Sequence, residues 1–262
     1  RSNFTGKSNN EKLTYGVNVG LTYSRRNQLE QETRSTGTGA STINTNVLQN
    51  PLNGYLSSAS YFSPSTYVNG QQLLDEYGNP SLDIVPFMLL DLFQPKNAPS
   101  FFDEYKTLLV GNMAYKLTKD LTISNTLGVD YTEDKRTFAI GPRAYLSVVR
   151  AVGAGQAFHG LENQRSQREF MANNITKLNY KKVFGDKHTL DVSAYTEYLK
   201  AHRRSFVFQQ IGLNPLTWEP GAGTGYIPWS TALPQSYLPA VSAVELEAGS
   251  FSYFGTVDYD YD

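Results

Sequence analysis

The sequence has 262 residues, and its 23 Lys and Arg balance 24 Asp and Glu to give a formal net charge of −1. This balance gives no electrostatic reason to expect nucleic acid as a partner, because nucleic-acid-binding domains usually carry a basic excess. The absence of Cys excludes a disulfide framework, a thiolate metal site and a thiol nucleophile. The aromatic share of 13%, with 18 Tyr, suits a protein with many positions where an apolar environment meets water.

Apolar and small polar residues alternate from Leu13 to Ser24. The odd positions hold the apolar set, which is Leu13, Tyr15, Val17, Val19, Leu21 and Tyr23. A period of two places each set on its own face of a β-strand. The length of about a dozen residues fits the roughly 9–11 that a tilted strand needs to cross a bilayer.

Further strands are predicted downstream, by the same alternation or, at 107–117 and 168–181, by strand-forming residues that alternate less cleanly. They lie at about 107–117, 121–132, 168–181, 190–198 and 251–262, and Asn125 interrupts the apolar face of the second of these. Residues 1–5 could end a seventh strand before a turn at 6–10. The longest apolar stretch, 84–93, is about half a membrane span and contains Pro86 and Asp91, so no transmembrane helix is expected.

The connections between these strands alternate between short and long. Residues 118–120 and 184–187 form tight reversals, whereas 31–103, 134–167 and 210–249 are long links. Long structureless loops are uncommon in compact soluble domains. Outer-membrane barrels have short turns at one rim and long loops at the other, and the smallest have about eight strands. The pattern therefore predicts an all-β, transmembrane antiparallel barrel, of which six or seven strands lie in this chain as part of one larger domain.

A soluble β-sandwich also alternates apolar and polar residues along each strand. Here, however, the polar faces carry Thr, Ser, Gly, Asn and Asp, where a solvated sheet face would carry Lys and Glu. Several apolar faces end in tyrosine, as an aromatic girdle at a membrane surface would: Tyr23, Tyr131, Tyr198, Tyr259 and Tyr261. These details favour the barrel and leave a secreted sandwich as an alternative.

Several segments resemble SusC/RagA-type TonB-linked outer-membrane proteins. The segment 252–261, SYFGTVDYDY, is similar to a recurring strand of that family, with Thr256 in place of the usual Arg. The hairpin 173–197, which contains the turn Phe184-Gly185-Asp186-Lys187, resembles another family segment. Residues 115–131 and 15–27 also fit in order, so the resemblance touches every proposed strand and none of the long loops.

The resemblance implies a plugged barrel of 22 strands in the cell outer membrane, of which this chain would be a middle portion. It further implies uptake of oligosaccharides or peptides, a SusD-like surface lipoprotein as a lid, and energy coupling through TonB. The plug, the TonB box and the N-terminal domain of the family do not match any part of this chain. A structural or adhesive barrel without transport remains an alternative function.

The sequence shows no catalytic, cofactor-binding or metal-binding constellation, so we do not expect an enzyme or a cofactor. His159, His188 and His202 lack ligand-like spacing on a shared face. Candidate contacts to substrate or lid are aromatic residues of two long loops, namely Trp218, Tyr226, Trp229, Tyr61 and Tyr67. Such rings could stack on sugars or on a lid protein, or could simply pack the loops against their neighbours.

Overall fold

The computed structural model describes residues 1–27, 69–77, 91, 94, 96–145, 147–148, 159–185, 187–232 and 237–261. These residues form one helix, α1 (Gly70–Tyr77), and seven strands. The strands are β1 (Ser2–Lys7), β2 (Leu13–Asn27), β3 (Ser100–Lys116), β4 (Leu121–Ile140), β5 (Leu161–Phe184), β6 (His188–Ile211) and β7 (Ala240–Tyr261). Within the described part of the chain, α1 and every other helical segment are too short or too polar to span a membrane.

The seven strands form a single sheet in chain order, and each strand is antiparallel to its neighbour. Three connections are short and lie at one end of the sheet, which we call the short-turn end. In one of them the Thr118 hydroxyl accepts hydrogen bonds from the amides of Asp120 and Leu121, at 3.2 and 3.0 Å, and fixes the reversal. The other three connections are long and lie at the opposite, long-loop end. The predicted all-β antiparallel architecture is confirmed.

All predicted strands exist, including the one at the N-terminus, but most are longer than the alternation indicated. Most of the extra residues lie at the long-loop end, where β4 continues to Ile140 and β6 to Ile211. The residues added to β3, β5 and β7 had been assigned to loops. The long connections are therefore shorter than predicted, at residues 28–99, 141–160 and 212–239.

Cross-strand partners share a face of the sheet, so the register defines two faces. We call the face that carries Tyr15, Val19 and Tyr23 with their register partners the banded face, and the other the opposite face. Leu21 and Val257 on the banded face are 71% and 69% exposed. Val17 and Ile123 are also exposed, so among the described residues these side chains do not point into a packed interior.

Two rows of aromatic residues border the apolar band. The upper girdle, nearer the long-loop end, consists of Tyr23, Tyr105, Tyr131, Phe170, Tyr198 and Phe251. The lower girdle consists of Tyr15, Tyr115, Tyr180 and Tyr259. Between the girdles the banded face holds mainly Val, Leu, Ile, Ala and Gly.

The girdles drift toward the short-turn end from β2 to β7. Successive register partners lead from Tyr23 to Glu245 in β7, yet the upper girdle of β7 is at Phe251, about six residues nearer the short-turn end. The lower girdle drifts equally, from Tyr15 to Tyr259. A drift of ~20 Å over five strand spacings of ~4.8 Å corresponds to strands tilted by ~40° from the normal to the band. Strands of closed barrels tilt by about 35–45°.

Asn125, which interrupts the predicted apolar face, has partners on that same face. Its amide nitrogen donates to Asn174 Oδ1 at 3.1 Å and to Thr176 Oγ1 at 2.9 Å, and Asn174 Nδ2 donates back at 3.3 Å. Polar groups removed from water are costly unless they are hydrogen-bonded. The three side chains therefore satisfy one another within the band.

The buried apolar residues lie outside the band, at the long-loop end. They are Ala139, Ile140, Ala144, Tyr145, Val148, Leu213, Trp218, Ile227 and Tyr237. The band itself thus has no protein core behind it among the described residues, and the packed region positions the loops.

Candidate functional site

The connection between β6 and β7 folds back along its own path. Gly212, with φ of +82°, turns the chain out of β6, and its carbonyl accepts a hydrogen bond from Ile227 N at 3.0 Å. Leu213 pairs with Tyr226 in an isolated antiparallel bridge, and Asn214 N donates to Gly225 O at 2.8 Å. In the segment 213–232, which we call the entry loop, backbone pairing near Leu213 and Tyr226 therefore closes the base of the intervening turn residues.

A buried carboxylate fixes the entry loop to the sheet. Glu162, on the banded face of β5, is fully buried and accepts hydrogen bonds from Trp218 Nε1 at 2.6 Å and Gly221 N at 2.7 Å. Gln164 Nε2 also donates to Glu162, at 2.9 Å. The Tyr226 hydroxyl donates to the same carboxylate at 3.3 Å. Burial, reinforced by the Glu162 charge, raises the pKa of Tyr226, so its hydroxyl remains protonated and able to donate.

The three predicted contact residues of this loop differ in their environment. Trp218 is only 5% exposed and packs with Ala139 and Leu213, so its ring presents no free face. Tyr226 is half-buried and lies against Phe208, with ring centroids 5.3 Å apart. Trp229 is 46% exposed and keeps a ring face available for stacking. Tyr61 and Tyr67 lie outside the described residues.

The other long connections are joined at the same end of the sheet. The buried Asp91 carboxylate accepts hydrogen bonds from Asn97 Nδ2 at 3.1 Å and from Tyr145 N at 3.0 Å. Gly70 N, at the start of α1, donates to Arg143 O at 2.8 Å. No sequence pattern indicates this cluster, because its members are separated by many residues and follow no periodicity.

A groove of about 560 Å³ lies between the entry loop and the banded face of the sheet. Its lining includes Arg25, Phe101, Lys135, Phe206, Phe208 and Tyr226. Arg25 lies over the Phe101 ring at 4.6 Å and pairs with Asp103 at 3.1 Å. The groove thus combines aromatic rings and cations, and it lies on the long-loop side of the upper girdle.

The opposite face carries a hydrogen-bonded ladder of charges. Arg203 pairs with Glu169 at 3.2 Å and donates to Gln167 at 2.7 Å, and Gln167 in turn donates to Glu169 at 2.7 Å. Lys106 pairs with Asp130 at 2.9 Å across a concavity of about 440 Å³. Such a face suits contact with water or with another polar surface.

No family model matches the sequence, and no curated protein matches it either. Solved structures do match. The chain is similar to one in "Structure of the RagAB peptide transporter", with 19% identity, a TM-score of 0.63, and coverage of 99% of this chain and 25% of that chain.

Two further RagAB structures match over the same shares of both chains. The importer in the "open-open" state gives 18% identity and a TM-score of 0.62, and the "closed-closed" state gives 17% and 0.58. The likeness is one of fold. This chain spans about a quarter of the length of the chains it matches, and the structural similarity supports the SusC/RagA resemblance at the level of architecture.

Proposed function

We propose that this chain forms part of the wall and entry loops of a SusC/RagA-type nutrient importer in the bacterial outer membrane. The banded face contacts lipid, and the opposite face lines the interior of a barrel completed by other strands. The long-loop end is extracellular, because outer-membrane barrels keep their short turns on the periplasmic side. The cargo is an oligosaccharide or a peptide, and RagAB, a peptide importer by its name, makes a peptide the first choice to test.

The parallel drift of the two girdles is the main observation in support of placing the banded face against lipid. A soluble sheet has no reason to keep two aromatic rows eight to ten residues apart, as on β2, β3, β5 and β7, while both rows shift by six residues between β2 and β7. A membrane imposes that arrangement, because aromatic rings prefer its two interfaces and the strands must tilt for the barrel to close. From Tyr15 to Tyr23 the band spans nine residues, near the roughly 9–11 of a transmembrane strand.

Transport and a lid protein form the second part of the proposal. The structure anchors the entry loop through Glu162 and leaves Trp229 exposed, which suits a loop that presents a fixed surface to a SusD-like lipoprotein. TonB would act on parts of the protein outside this chain. In this proposal the chain's own role is passive, as wall and rim, without catalytic chemistry.

The proposal is tested on the full-length parent protein with residues 214–225 replaced by a short Gly-Ser linker. We expect normal insertion, seen as a heat-modifiable band in the outer-membrane fraction, together with loss of lid capture and of uptake of labelled peptides and oligosaccharides. Lys119→Ala, in a short turn at the other rim, is the matched control and should change none of these readouts.

The outcomes separate the alternatives. Recovery of the wild-type protein in the soluble fraction without detergent would identify a secreted β-sandwich module. Insertion without uptake of either cargo class would identify a structural or adhesive barrel. Loss of insertion in the loop variant would contradict the division between a lipid-facing wall and an external entry loop.

A further inference from the structure

Three exposed cations gather on the banded face beyond the upper girdle, on neighbouring strands. They are Lys135 on β4, Arg168 on β5 and Arg204 on β6, and we call them the cationic triad. Arg168 and Arg204 are direct cross-strand partners, and Lys135 lies one banded-face position further from the girdle. Because neighbouring strands are ~4.8 Å apart, the three side chains can reach a common point.

The charges of the triad are only partly compensated. Glu133 forms ion pairs with two of the three cations, at 3.6 Å from Lys135 Nζ and 3.8 Å from Arg168. Arg204 has no ion pair or hydrogen bond with any described residue, although Glu245 is its register partner. Like charges directly opposite one another on antiparallel strands are destabilising. An external anion on this face would remove that repulsion.

The triad lies at the depth of lipid head groups if the banded face contacts lipid. Arg168 is two residues beyond Phe170 of the upper girdle, Lys135 is four residues beyond Tyr131, and Arg204 is six residues beyond Tyr198. With strands tilted by ~40°, these offsets place the three backbones ~5–15 Å outside the hydrocarbon boundary. The charged head groups begin at this boundary, and the long Lys and Arg side chains can extend back toward them.

The surroundings of the triad match the successive parts of one lipid molecule. Below it, Phe170 and the apolar band suit acyl chains. Above it, the groove beneath the entry loop is lined by Lys135, Phe206 and Tyr226 and leaves room for a bulky polar head group. Arginine forks and lysine ammonium groups are the side chains that bind phosphate best.

We propose that the cationic triad binds the phosphate of an anionic lipid in the outer leaflet, with the rest of the head group extending into the groove. This site rests on the proposed function, because it requires the banded face to contact lipid. It assigns Lys135, Arg168 and Arg204 to a lipid contact and not to the transport path.

The test uses the full-length parent protein in phosphatidylcholine vesicles, with and without diphosphoryl lipid A. Each surface cation contributes about fivefold to the binding of an anionic lipid, so the triple variant K135Q/R168Q/R204Q should retain lipid A roughly a hundredfold more weakly. The matched control is Arg203→Gln, because Arg203 is adjacent in sequence to Arg204 but lies on the opposite face. It should retain lipid A as the wild type does.

Insertion is measured first, by heat-modifiable mobility, so that two failures can be told apart. A protein that does not insert refutes the proposed function itself. Equal lipid A retention by the wild type and the triple variant, with normal insertion, refutes only the triad. Displacement of lipid A by an equal concentration of inorganic phosphate would also overturn the lipid assignment, because the site would then bind a soluble anion equally well.

Discussion

An arginine placed on either face of β2 tests the membrane topology directly. Val19 lies halfway between Tyr15 and Tyr23. Four residues at ~3.3 Å each, on a strand tilted by ~40°, place it ~10 Å from each girdle along the normal to the band. At this depth an arginine on the lipid side of a barrel costs about 2–4 kcal/mol. Asn18, the preceding residue, lies on the opposite face, where an arginine would meet a polar interior.

We expect Val19→Arg to lower the equilibrium population of the folded, inserted protein by roughly 30-fold to 1000-fold, since ~1.4 kcal/mol is a factor of ten. Leu21→Arg, nearer the girdle, should cost less, and Asn18→Arg should stay close to the wild type. The measurement is reversible denaturant unfolding from phospholipid vesicles, followed by heat-modifiable mobility. A cost for Asn18→Arg equal to or above that of Val19→Arg would refute the assignment of the two faces.

The remaining predictions concern the polar cluster and the entry loop. Asn125→Ala leaves Asn174 without its partner and should destabilise the protein by about 1–3 kcal/mol in the same unfolding assay. The double variant Asn125→Leu, Asn174→Leu should restore much of that loss, because neither polar group is then left unpaired. Glu162→Ala should speed hydrogen exchange at Gly221 N, while Trp229→Ala should leave that rate unchanged; equal rates in the wild type and the Glu162 variant would show that the carboxylate does not hold the loop. Burial lowers the pKa of His159, in the β4–β5 connection, so protonation of this residue favours the unfolded form of the connection. The stability of the folded connection should therefore fall as the pH drops below ~6.5, the ordinary pKa of histidine. Exchange at Leu213 N, corrected for its intrinsic rate, should show this dependence, and His159→Gln should abolish it.

The alternation found the part of each strand between the aromatic girdles and missed the rest. From Leu13 to Tyr23 one face needs apolar side chains and the other polar ones, so a period of two is visible in the sequence. Beyond the upper girdle β5 includes residues 162–169, whose side chains are polar on both faces. The hydrogen-bonded ladder persists there, but nothing in the residue types reports it.

The aromatic loop residues could be found from the sequence, but their roles could not be separated. Trp218 and Trp229 have the same residue type in the same loop, yet one is buried beside Glu162 and the other is exposed. Glu162 itself resembled any loop charge in the sequence. Its role depends on contacts with residues more than fifty positions away, which only the folded chain brings together.

The sequence by itself determined the strands, their faces and the alternation of short turns with long loops, because apolar and polar side chains alternate at every second residue between the girdles. Only the tertiary structure decided how the strands are registered. That register aligned the aromatic girdles, placed Arg168 opposite Arg204 and brought the entry loop onto Glu162. Cross-strand pairing joins residues that are distant in the chain, and residue types within a single segment carry no information about such partners.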